Sequence, residues 1–429
     1  MPPISRCPAI AISGWVSPRA ASASPAWPRC GSNSFAAGCG RSNRLVVLWT
    51  KEEKERRVEL SRSSRTGGSR ARQGPRRYAM KLSIVILCWN DRLVVEDCLR
   101  SIYDHPPALP FETIVVDNAS SDGGPDAVRR RFPQARLVET GANLGFAAGN
   151  NAGINVARGQ YVLILNPDTI IHPGALDELA AFTDGHPRAG AVGCRVLNPD
   201  GSLQPSVRPL PTVRGGLLAA LGLRWLGLVS KAWLADVYPA WKDTRVGPVG
   251  YHYGCCLLVR RELLLRLQGF DPQFFYHYEE VDLCKRIWDS GFEVLYCPAA
   301  TITHIGGQAR GRVSTRLVLE TYRSRYRYFH KHFGDTAVIR LRRVNLLGSG
   351  LRWGGCQLRR LVSSSPTLAE ELERHRLLFR WNRALDPVAF VHSGIEPDLG
   401  YAPLMPPPAA PPKDLAPDPQ PSQDTARTP

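Results

Sequence analysis

The strongest constraint on the fold is a repeated alternation of short apolar strands and helices that begins at Leu82. Residues 82–88 are apolar at every position except Ser83, which is typical of a strand buried on both faces of a sheet. Residues 91–105 then carry apolar side chains at helical spacing, and Asp91 is predicted to cap that helix. Strands joined by helices predict an α/β fold with a parallel sheet covered on both faces. The predicted strands are 82–88, 112–117, 135–139, 160–165 and 189–196, and the helices that follow the first four are 91–105, 122–132, 145–158 and 173–186.

The second half of the chain is less regular, and composition divides the whole into four parts. Residues 1–79 lack periodicity, and we interpret them either as a disordered basic segment or as a misassigned start, with translation beginning at Met80. Residues 80–335 are predicted to form the α/β domain, 336–401 a basic amphipathic helical extension, and 402–429 a Pro-rich disordered tail. The strands predicted in the second half are 254–259 and 293–297, and the helices are 261–268, 281–290, 317–332 and 337–361.

The net charge of +17 is concentrated at the N terminus, where residues 1–79 hold 15 Lys and Arg against 4 Glu. The remainder is only mildly basic, which argues against a nucleic-acid-binding surface. None of the eleven cysteines forms a CxxC pair, so we expect reduced thiols in a cytoplasmic protein. No apolar stretch reaches the roughly 20 residues of a membrane-spanning helix.

Polar residues follow four successive strands, and the carboxyl ends of parallel strands meet at one edge, where ligands bind. Asp117 is suited to accept hydrogen bonds from a ribose or a base. Gly145 and Gly149 have no side chain, so they would let the backbone approach a nucleotide closely. Asp168 is suited to bind a divalent cation that also touches two phosphates. Either aspartate alone would equally fit a turn or a helix cap. The predicted donor-binding residues are Trp89, Asn90, Asp117, Asn143, Gly145, Gly149, Asn150, Asn166 and Asp168.

A second acidic cluster consists of Glu279, Glu280 and Asp282 at the start of a predicted helix. These carboxylates either complement the helix dipole or supply a general base whose pKa is raised by crowding. His304 follows a strand and precedes two glycines, so it is a candidate to complete the metal site with Asp168. The sequence has no GxxxxGK[ST], no GxGxxG after the first strand, no HExxH and no GxSxG, which argues against the enzyme classes that carry them.

Six motifs, spanning residues 81–335, resemble those of family 2 glycosyltransferases with the GT-A fold, most closely the rhamnosyltransferase-like branch. They are Ser83-Ile-Val-Ile with Trp89-Asn90, Val115-Val-Asp117-Asn-Ala-Ser120-Ser-Asp122-Gly, Asn143-Leu-Gly145-Phe-Ala-Ala-Gly149-Asn150-Asn151-Ala-Gly153, Leu165-Asn-Pro-Asp168-Thr, Gly269-Phe-Asp271 with Glu279-Glu280-Val-Asp282-Leu-Cys-Lys-Arg286, and His304-Ile-Gly-Gly307-Gln.

The resemblance implies a role for each motif. Asp117 would hold the nucleoside, Asp168 and His304 would bind Mg²⁺ or Mn²⁺, and Asn166 replaces the first aspartate of the family's metal motif. The family's catalytic Glu-Asp pair falls on Glu279 and Glu280, so we favour Glu280 as the base and keep Glu279 and Asp282 as alternatives. The family inverts the anomeric carbon in one direct displacement.

The resemblance further implies a nucleotide-diphospho-sugar donor, with rhamnose as its sugar, and a lipid-linked or polysaccharide acceptor. Helices near 323–327 and 340–360 mix basic and apolar residues, so they fit an anionic membrane surface or an ordinary solvated face equally well. We expect a cytoplasmic enzyme that contacts the inner face of the plasma membrane. The alternatives are a sugar-nucleotide nucleotidyltransferase, which would need a Gly-rich basic loop at Trp89, and a non-catalytic scaffold.

Overall fold

The computed structural model describes residues 79–221, 244–306, 315–362 and 365–399. All of them belong to one compact unit, Pro75–Pro429. The predictions for residues 1–78 and for the tail 402–429 lie outside the described residues. None of the helices in the described ranges is long and apolar enough to cross a membrane.

Strands and helices alternate through the first half of the described chain, as the sequence predicts. The strands are β1 Leu82–Cys88, β2 Phe111–Asp117, β3 Arg136–Glu139, β4 Tyr161–Leu165, β5 Thr169–Ile171, β6 Ala189–Leu197, β7 Val207–Arg208, β8 Gly247–Pro248, β9 Tyr251–His252, β10 Cys256–Arg260 and β11 Glu293–His304. The helices are α1 Arg92–Asp104, α2 Gly124–Arg131, α3 Gly145–Val156, α4 Ala175–Gly185, α5 Val213–Ala220, α6 Arg261–Arg266, α7 Glu279–Asp289, α8 Thr315–Arg360, α9 Pro366–Ala384 and α10 Pro387–Ser393.

The main sheet has the strand order β3-β2-β1-β4-β10-β6-β11-β5, with β8 beside β11. Strands β3, β2, β1 and β4 are parallel to one another, and β6 is parallel to β11. Alternate side chains of β1 enter two apolar clusters, Ile84 and Ile86 in one and Val85 in the other, so both faces are covered. The predicted GT-A type α/β fold with a mostly parallel sheet is confirmed.

Some strands of this mostly parallel sheet run antiparallel to their neighbours, and the alternation of strands and helices does not say which. β10 is antiparallel to β4 and β6, and β5 is antiparallel to β11. Cys256 at the start of β10 pairs with Leu165 at the end of β4, so the chain returns to the carboxyl edge before β10 begins. A reversal of this kind depends on the course of the intervening loops, which strand periodicity does not report.

The predicted cap of α1 is also wrong, because Asp91 makes no side-chain hydrogen bond to the helix. The N–H of Arg92 instead donates to Asp122 Oδ2 at 2.8 Å, and Asp122 Oδ1 accepts from the N–H of Gly124 at 2.9 Å. One carboxylate therefore satisfies backbone donors at the starts of two helices. Asp122 is distant in sequence from α1, so local spacing favoured the wrong aspartate.

The helical extension packs directly on the α/β domain. The two helices predicted at 317–332 and 337–361 both lie within the run α8, whose backbone leaves helical geometry at Gly334 (φ 74°). The boundary predicted between residues 335 and 336 falls directly after this break. A third apolar cluster joins Phe274 and Val281 to Leu319, Trp381 and Phe390 of the extension.

Candidate active site

Four strands end at one edge of the sheet, and most of the predicted site residues lie there. β1 ends directly before Trp89, β2 ends on Asp117, β4 ends directly before Asn166, and β11 ends on His304. The antiparallel strand β10 begins at the same edge. This is the place where open α/β sheets bind ligands.

The loops after β1 and β2 are tied together by Asn90. Its Oδ1 accepts from the N–H of Ser121 at 2.8 Å, and its own N–H donates to Ser120 Oγ at 2.9 Å. Asp117 in turn accepts from the N–H of Ser120 at 3.2 Å. The Trp89 side chain is 51% exposed at this corner. Asn90 thus shapes the corner, and Trp89 offers an exposed ring on which a base can stack.

Asn118 connects β2 to the loop before α3, and the sequence interpretation did not select it. Its Nδ2 donates to Asn143 Oδ1 at 2.9 Å, and its Oδ1 accepts from the N–H of Leu144 at 2.9 Å. Asn143 Oδ1 also accepts from the N–H of Gly145 at 3.0 Å. The amide of Asn143 is therefore engaged in shaping the loop. The signal for Asn118 was its place directly after Asp117 at a strand end.

The glycines of α3 are required by close packing within the protein. Gly145 has φ +78°, and a Cβ there would lie 2.4 Å from the Phe275 ring. At Gly149 a Cβ would lie 2.6 Å from Leu87 Cδ1. Local packing thus accounts for both glycines, and their approach to a nucleotide stays a prediction. Asn150 is also fully buried, and its Nδ2 donates to a backbone carbonyl of its own helix at 2.9 Å.

Asp168 and His304 meet across the ends of β4 and β11. Asp168 Oδ1 lies 3.2 Å from His304 Nε2, and Asn166 Nδ2 lies 3.3 Å from the same nitrogen. The buried Asn166 Oδ1 has no hydrogen-bond partner. His304 Nδ1 contacts Gln204 Oε1 at 2.7 Å, which orients the ring as outer partners orient metal-ligating histidines. A carboxylate oxygen and an imidazole nitrogen 3.2 Å apart are donor types that fit a divalent cation.

Glu279 and Glu280 begin α7 directly after two residues of positive φ, His277 (62°) and Tyr278 (72°). Both carboxylates are buried, and the Oε2 atom of each has no hydrogen-bond partner. Burial raises the pKa of Glu280 to about 7. Burial and the charge of Glu280 raise the pKa of Glu279 well above its usual value. The turn thus holds two coupled carboxyl groups, one of which titrates near neutrality.

The start of β10 links these carboxylates to the Asp168 loop. The N–H of Asn166 donates to the carbonyl of Cys255 at 3.0 Å. A Cβ on the preceding Gly254 would lie 3.7 Å from Glu280 Cβ, so this backbone is close to Glu280. The loop that carries Asp168 and the turn that carries Glu280 therefore both adjoin residues 254–255.

Residues 83–267 match the family described as Glycosyl transferase family 2. The chain is 34% identical over 229 residues to the N-acetylglucosaminyl-diphospho-decaprenol L-rhamnosyltransferase of Mycobacterium tuberculosis strain H37Rv, which covers 51% of this chain and 74% of the relative. The chain belongs to glycosyltransferase family 2. Family membership sets aside the nucleotidyltransferase alternative, and it confirms the rhamnosyltransferase-like resemblance.

Two further similarities were found. Rhamnosyltransferase WbbL of Escherichia coli K12 is 26% identical over 174 residues, which cover 38% of this chain and 62% of that protein. The solved structure titled mannosyltransferase PcManGT from Pyrobaculum calidifontis in complex with GDP-Man and Mn²⁺ has 18% identity and a TM-score of 0.45, and it covers 76% of this chain and 94% of that one. The family match ends before α7 and before His304, so the roles of those residues rest on their geometry.

Within this family 2 glycosyltransferase, Asp282 has the environment of a structural ion pair. It lies 2.7 Å from Arg286, 2.9 Å from Lys331 and 2.8 Å from His332, and its side chain is fully buried. Burial alone would raise its pKa, but the hydrogen bond from His332 and the charges of Arg286 and Lys331 outweigh burial and lower the pKa to about 2. A carboxylate held this firmly is a poor proton acceptor, so the geometry argues against Asp282 as the base.

We expect Asp282→Asn to destabilise the fold by about 3 kcal/mol, because it leaves buried cations without their shared partner. Urea unfolding at pH 7 measures this cost. Asp289→Asn is the control, since Asp289 forms only an exposed pair with Lys285 and should cost less than about 1 kcal/mol. Because the folded pKa is lowered, the contribution of Asp282 is present above its unfolded value of 3.8 and is lost as the pH falls toward about 2. Equal costs for the two variants would contradict this assignment.

One further group of side chains has the spacing of a metal site. Among the residues that the structure describes, His330, Asp335 and His392 place one ligand atom each within 4.8 Å of one another. They lie on α8 and α10 and not at the strand ends. The group is therefore separate from the Asp168–His304 pair.

Proposed function

We propose that the protein transfers a sugar from a nucleotide-diphospho-sugar to a hydroxyl of a lipid-linked or polysaccharide acceptor, with inversion at the anomeric carbon. The observation that carries the proposal is the placement of the Asp168–His304 pair and the buried Glu279–Glu280 pair around Gly254 and Cys255. The first pair suits a diphosphate-bound cation, and the second suits a hydroxyl that must lose its proton. The name of the mycobacterial relative supports rhamnose and a diphospho-polyprenol as the first donor sugar and acceptor to test.

On the donor side, Trp89 and Asp117 would contact the nucleoside at the ends of β1 and β2. Asp168 and His304 would hold Mg²⁺ or Mn²⁺, with Gln204 fixing the imidazole from behind. Such an ion supplies positive charge where the departing diphosphate becomes more negative. Asn166 contacts the imidazole of His304 through its side-chain amide nitrogen.

On the acceptor side, Glu280 would take the proton from the acceptor hydroxyl. As the hydroxyl oxygen forms its bond to the anomeric carbon, the bond from that carbon to the diphosphate breaks, and the diphosphate leaves with the electron pair. The proton ends on the Glu280 carboxylate. A single displacement of this kind inverts the anomeric configuration and needs no covalent enzyme intermediate.

Glu280 fits this role better than its two neighbours. Its pKa of about 7 leaves a useful fraction ionised at neutral pH while keeping it basic. The pKa of Glu279 is raised well above its usual value by burial and by the charge of Glu280, so this carboxyl group stays protonated more readily. Asp282 is held ionised by Arg286, Lys331 and His332.

We expect kcat/KM to fall about tenfold per pH unit below pH 7, because the base must be ionised and its pKa is about 7. Above that pH the rate should reach a plateau. Initial rates between pH 5.5 and 8.5, with the metal held in excess, measure the profile. Glu280→Asp should shift the midpoint while retaining a sloping profile. A flat profile through this range in the unmodified protein would rule out Glu280 as the base.

The function is tested by incubating the full chain, and a version starting at Met80, with UDP-, dTDP- and GDP-sugars. Each donor is offered with an N-acetylglucosaminyl-diphospho-polyprenol acceptor and with Mg²⁺, Mn²⁺ or EDTA. We expect one donor to be consumed only with metal, and NMR of the product to give the inverted anomeric configuration. Nucleoside diphosphate release that is unaffected by EDTA would count against the metal site. No turnover of any donor would favour the scaffold alternative.

The expected location is the cytoplasm, with contact to the inner face of the plasma membrane. The eight cysteines of the described residues are all free and buried, which supports a reducing compartment. Co-sedimentation with anionic vesicles in low and high salt tests the membrane contact, since a basic surface should release at high salt.

A further inference from the structure

A cavity of about 330 Å³ lies between α5, α8 and α9. Its lining combines basic and apolar side chains. Arg325, Arg352 and Arg374 make it basic, and apolar side chains that include Val318, Val344 and Leu378 form much of the remaining wall. Among the described residues that line it there is no carboxylate.

The polar groups of this cavity include buried donors without partners. Arg325 Nη1 donates to Asn345 Oδ1 at 3.1 Å, but Arg325 Nε has no hydrogen-bond acceptor. Asn345 is 3% exposed, and its Nδ2 also has none. Leaving such donors buried and unpaired costs free energy. Their presence around one cavity therefore favours a ligand that supplies hydrogen-bond-accepting oxygens.

The electrostatic balance of the cavity is positive. His375 lines it, and its pKa is lowered by burial and by the nearby charges of Arg352 and Arg374. Glu371 acts in the opposite direction, but its carboxylate pairs with Arg359 at 3.1 Å. An anion placed among these side chains would therefore be attracted.

The cavity adjoins the turn that begins α7. Ser324 Oγ donates to the carbonyl of Tyr276 at 3.0 Å. Tyr278, which directly precedes Glu279, is close enough to Arg325 and to Glu280 for both charges to act on its hydroxyl. α5 also leaves room for the guanidinium, because a Cβ on Gly216 would lie 2.5 Å from Arg325 Nη2.

We propose that this cavity binds the diphosphate of a lipid-linked acceptor, with the first hydrocarbon units against Val318, Val344 and Leu378. The inference rests on the proposed function, because it assigns the carrier part of the acceptor to a place beside Glu280. The guanidinium groups of arginine form paired hydrogen bonds to phosphate oxygens, and the apolar wall suits a hydrocarbon chain. An inorganic anion would not need such a wall. The acceptor sugar attached to the diphosphate would then extend toward the α7 turn.

The test is a binding measurement that needs no turnover. Full-length protein is titrated by calorimetry with farnesyl diphosphate, inorganic diphosphate and farnesol, and with phosphatidylglycerol vesicles. We expect farnesyl diphosphate to bind at least about tenfold more tightly than either inorganic diphosphate or farnesol, and Arg352→Gln and Arg374→Gln each to weaken it about tenfold. Arg343→Gln, an exposed arginine on the same helix, is the matched control and should change nothing.

Each other outcome overturns the proposal. Equal binding of inorganic diphosphate would make the cavity a simple anion site, and vesicle binding with the same arginine dependence would make it a membrane contact. Loss of farnesyl diphosphate binding in Asp168→Ala would mean that the donor site was the one titrated. Metal-dependent hydrolysis of the donor in the absence of acceptor tests the transferase assignment separately. If hydrolysis is observed and farnesyl diphosphate does not bind the cavity, only this inference fails.

Discussion

Glu280→Gln lowers kcat for sugar transfer about a thousandfold, which is the upper part of the range for loss of a general base. Glutamine keeps the size of the side chain and removes only its ability to take a proton. The KM for the donor should stay within about twofold, since the proposed role of Glu280 is toward the acceptor hydroxyl and the donor diphosphate is assigned to Asp168 and His304. Initial rates at saturating acceptor, with both substrates varied, give kcat and KM separately.

Two controls make the result specific to Glu280. Glu279→Gln should cost about tenfold or less, because burial and the charge of Glu280 already favour its protonated form. Glu262→Gln, on the exposed side of α6, should leave the rate unchanged. If Glu279→Gln is the more damaging substitution, the roles of the two carboxylates are reversed. If both variants retain more than about a tenth of the activity, neither carboxylate is the base.

Asp168→Ala is expected to abolish the stimulation of the enzyme by Mg²⁺ or Mn²⁺ and to lower transfer by about three orders of magnitude. The reason is geometric, because Asp168 Oδ1 is the carboxylate oxygen that meets His304 Nε2 at 3.2 Å. His304→Ala should be milder and should raise the metal concentration needed for half-maximal rate about 10- to 100-fold. Metal titrations of the rate, and of nucleoside diphosphate binding by calorimetry, measure both effects.

The matched control for His304 is His172, a histidine directly after β5 whose Nε2 contacts Thr303 Oγ1 at 2.9 Å. His172→Ala should leave the metal requirement unchanged. Gln204→Ala removes the contact behind the imidazole, so we expect an intermediate shift in the metal requirement without loss of maximal rate. A residual activity in Asp168→Ala that still depends on metal would place the cation elsewhere.

The sequence by itself determined the strand order in the chain and the edge at which the chemistry lies. Short, mostly apolar segments of five to nine residues indicate where β1, β4 and β6 lie, because strands buried on both faces favour such segments. Once strands alternate with helices, the carboxyl ends of the parallel strands must share one edge. The loops that carry Asp117, Asn166 and Asp168 were therefore brought together by a rule that needs no knowledge of side-chain contacts.

Only the tertiary structure decided which side chains act on each other at that edge. Gln204 lies 100 residues before its partner His304, and Lys331 lies on a different helix from its partner Asp282. The glycines of α3 likewise owe their place to Phe275 and Leu87, which local spacing does not report. Periodicity encodes burial along one element, whereas these partnerships depend on how separate elements pack. The cavity beside the α7 turn arises in the same way, from three helices whose basic residues appear in the sequence only as scattered arginines.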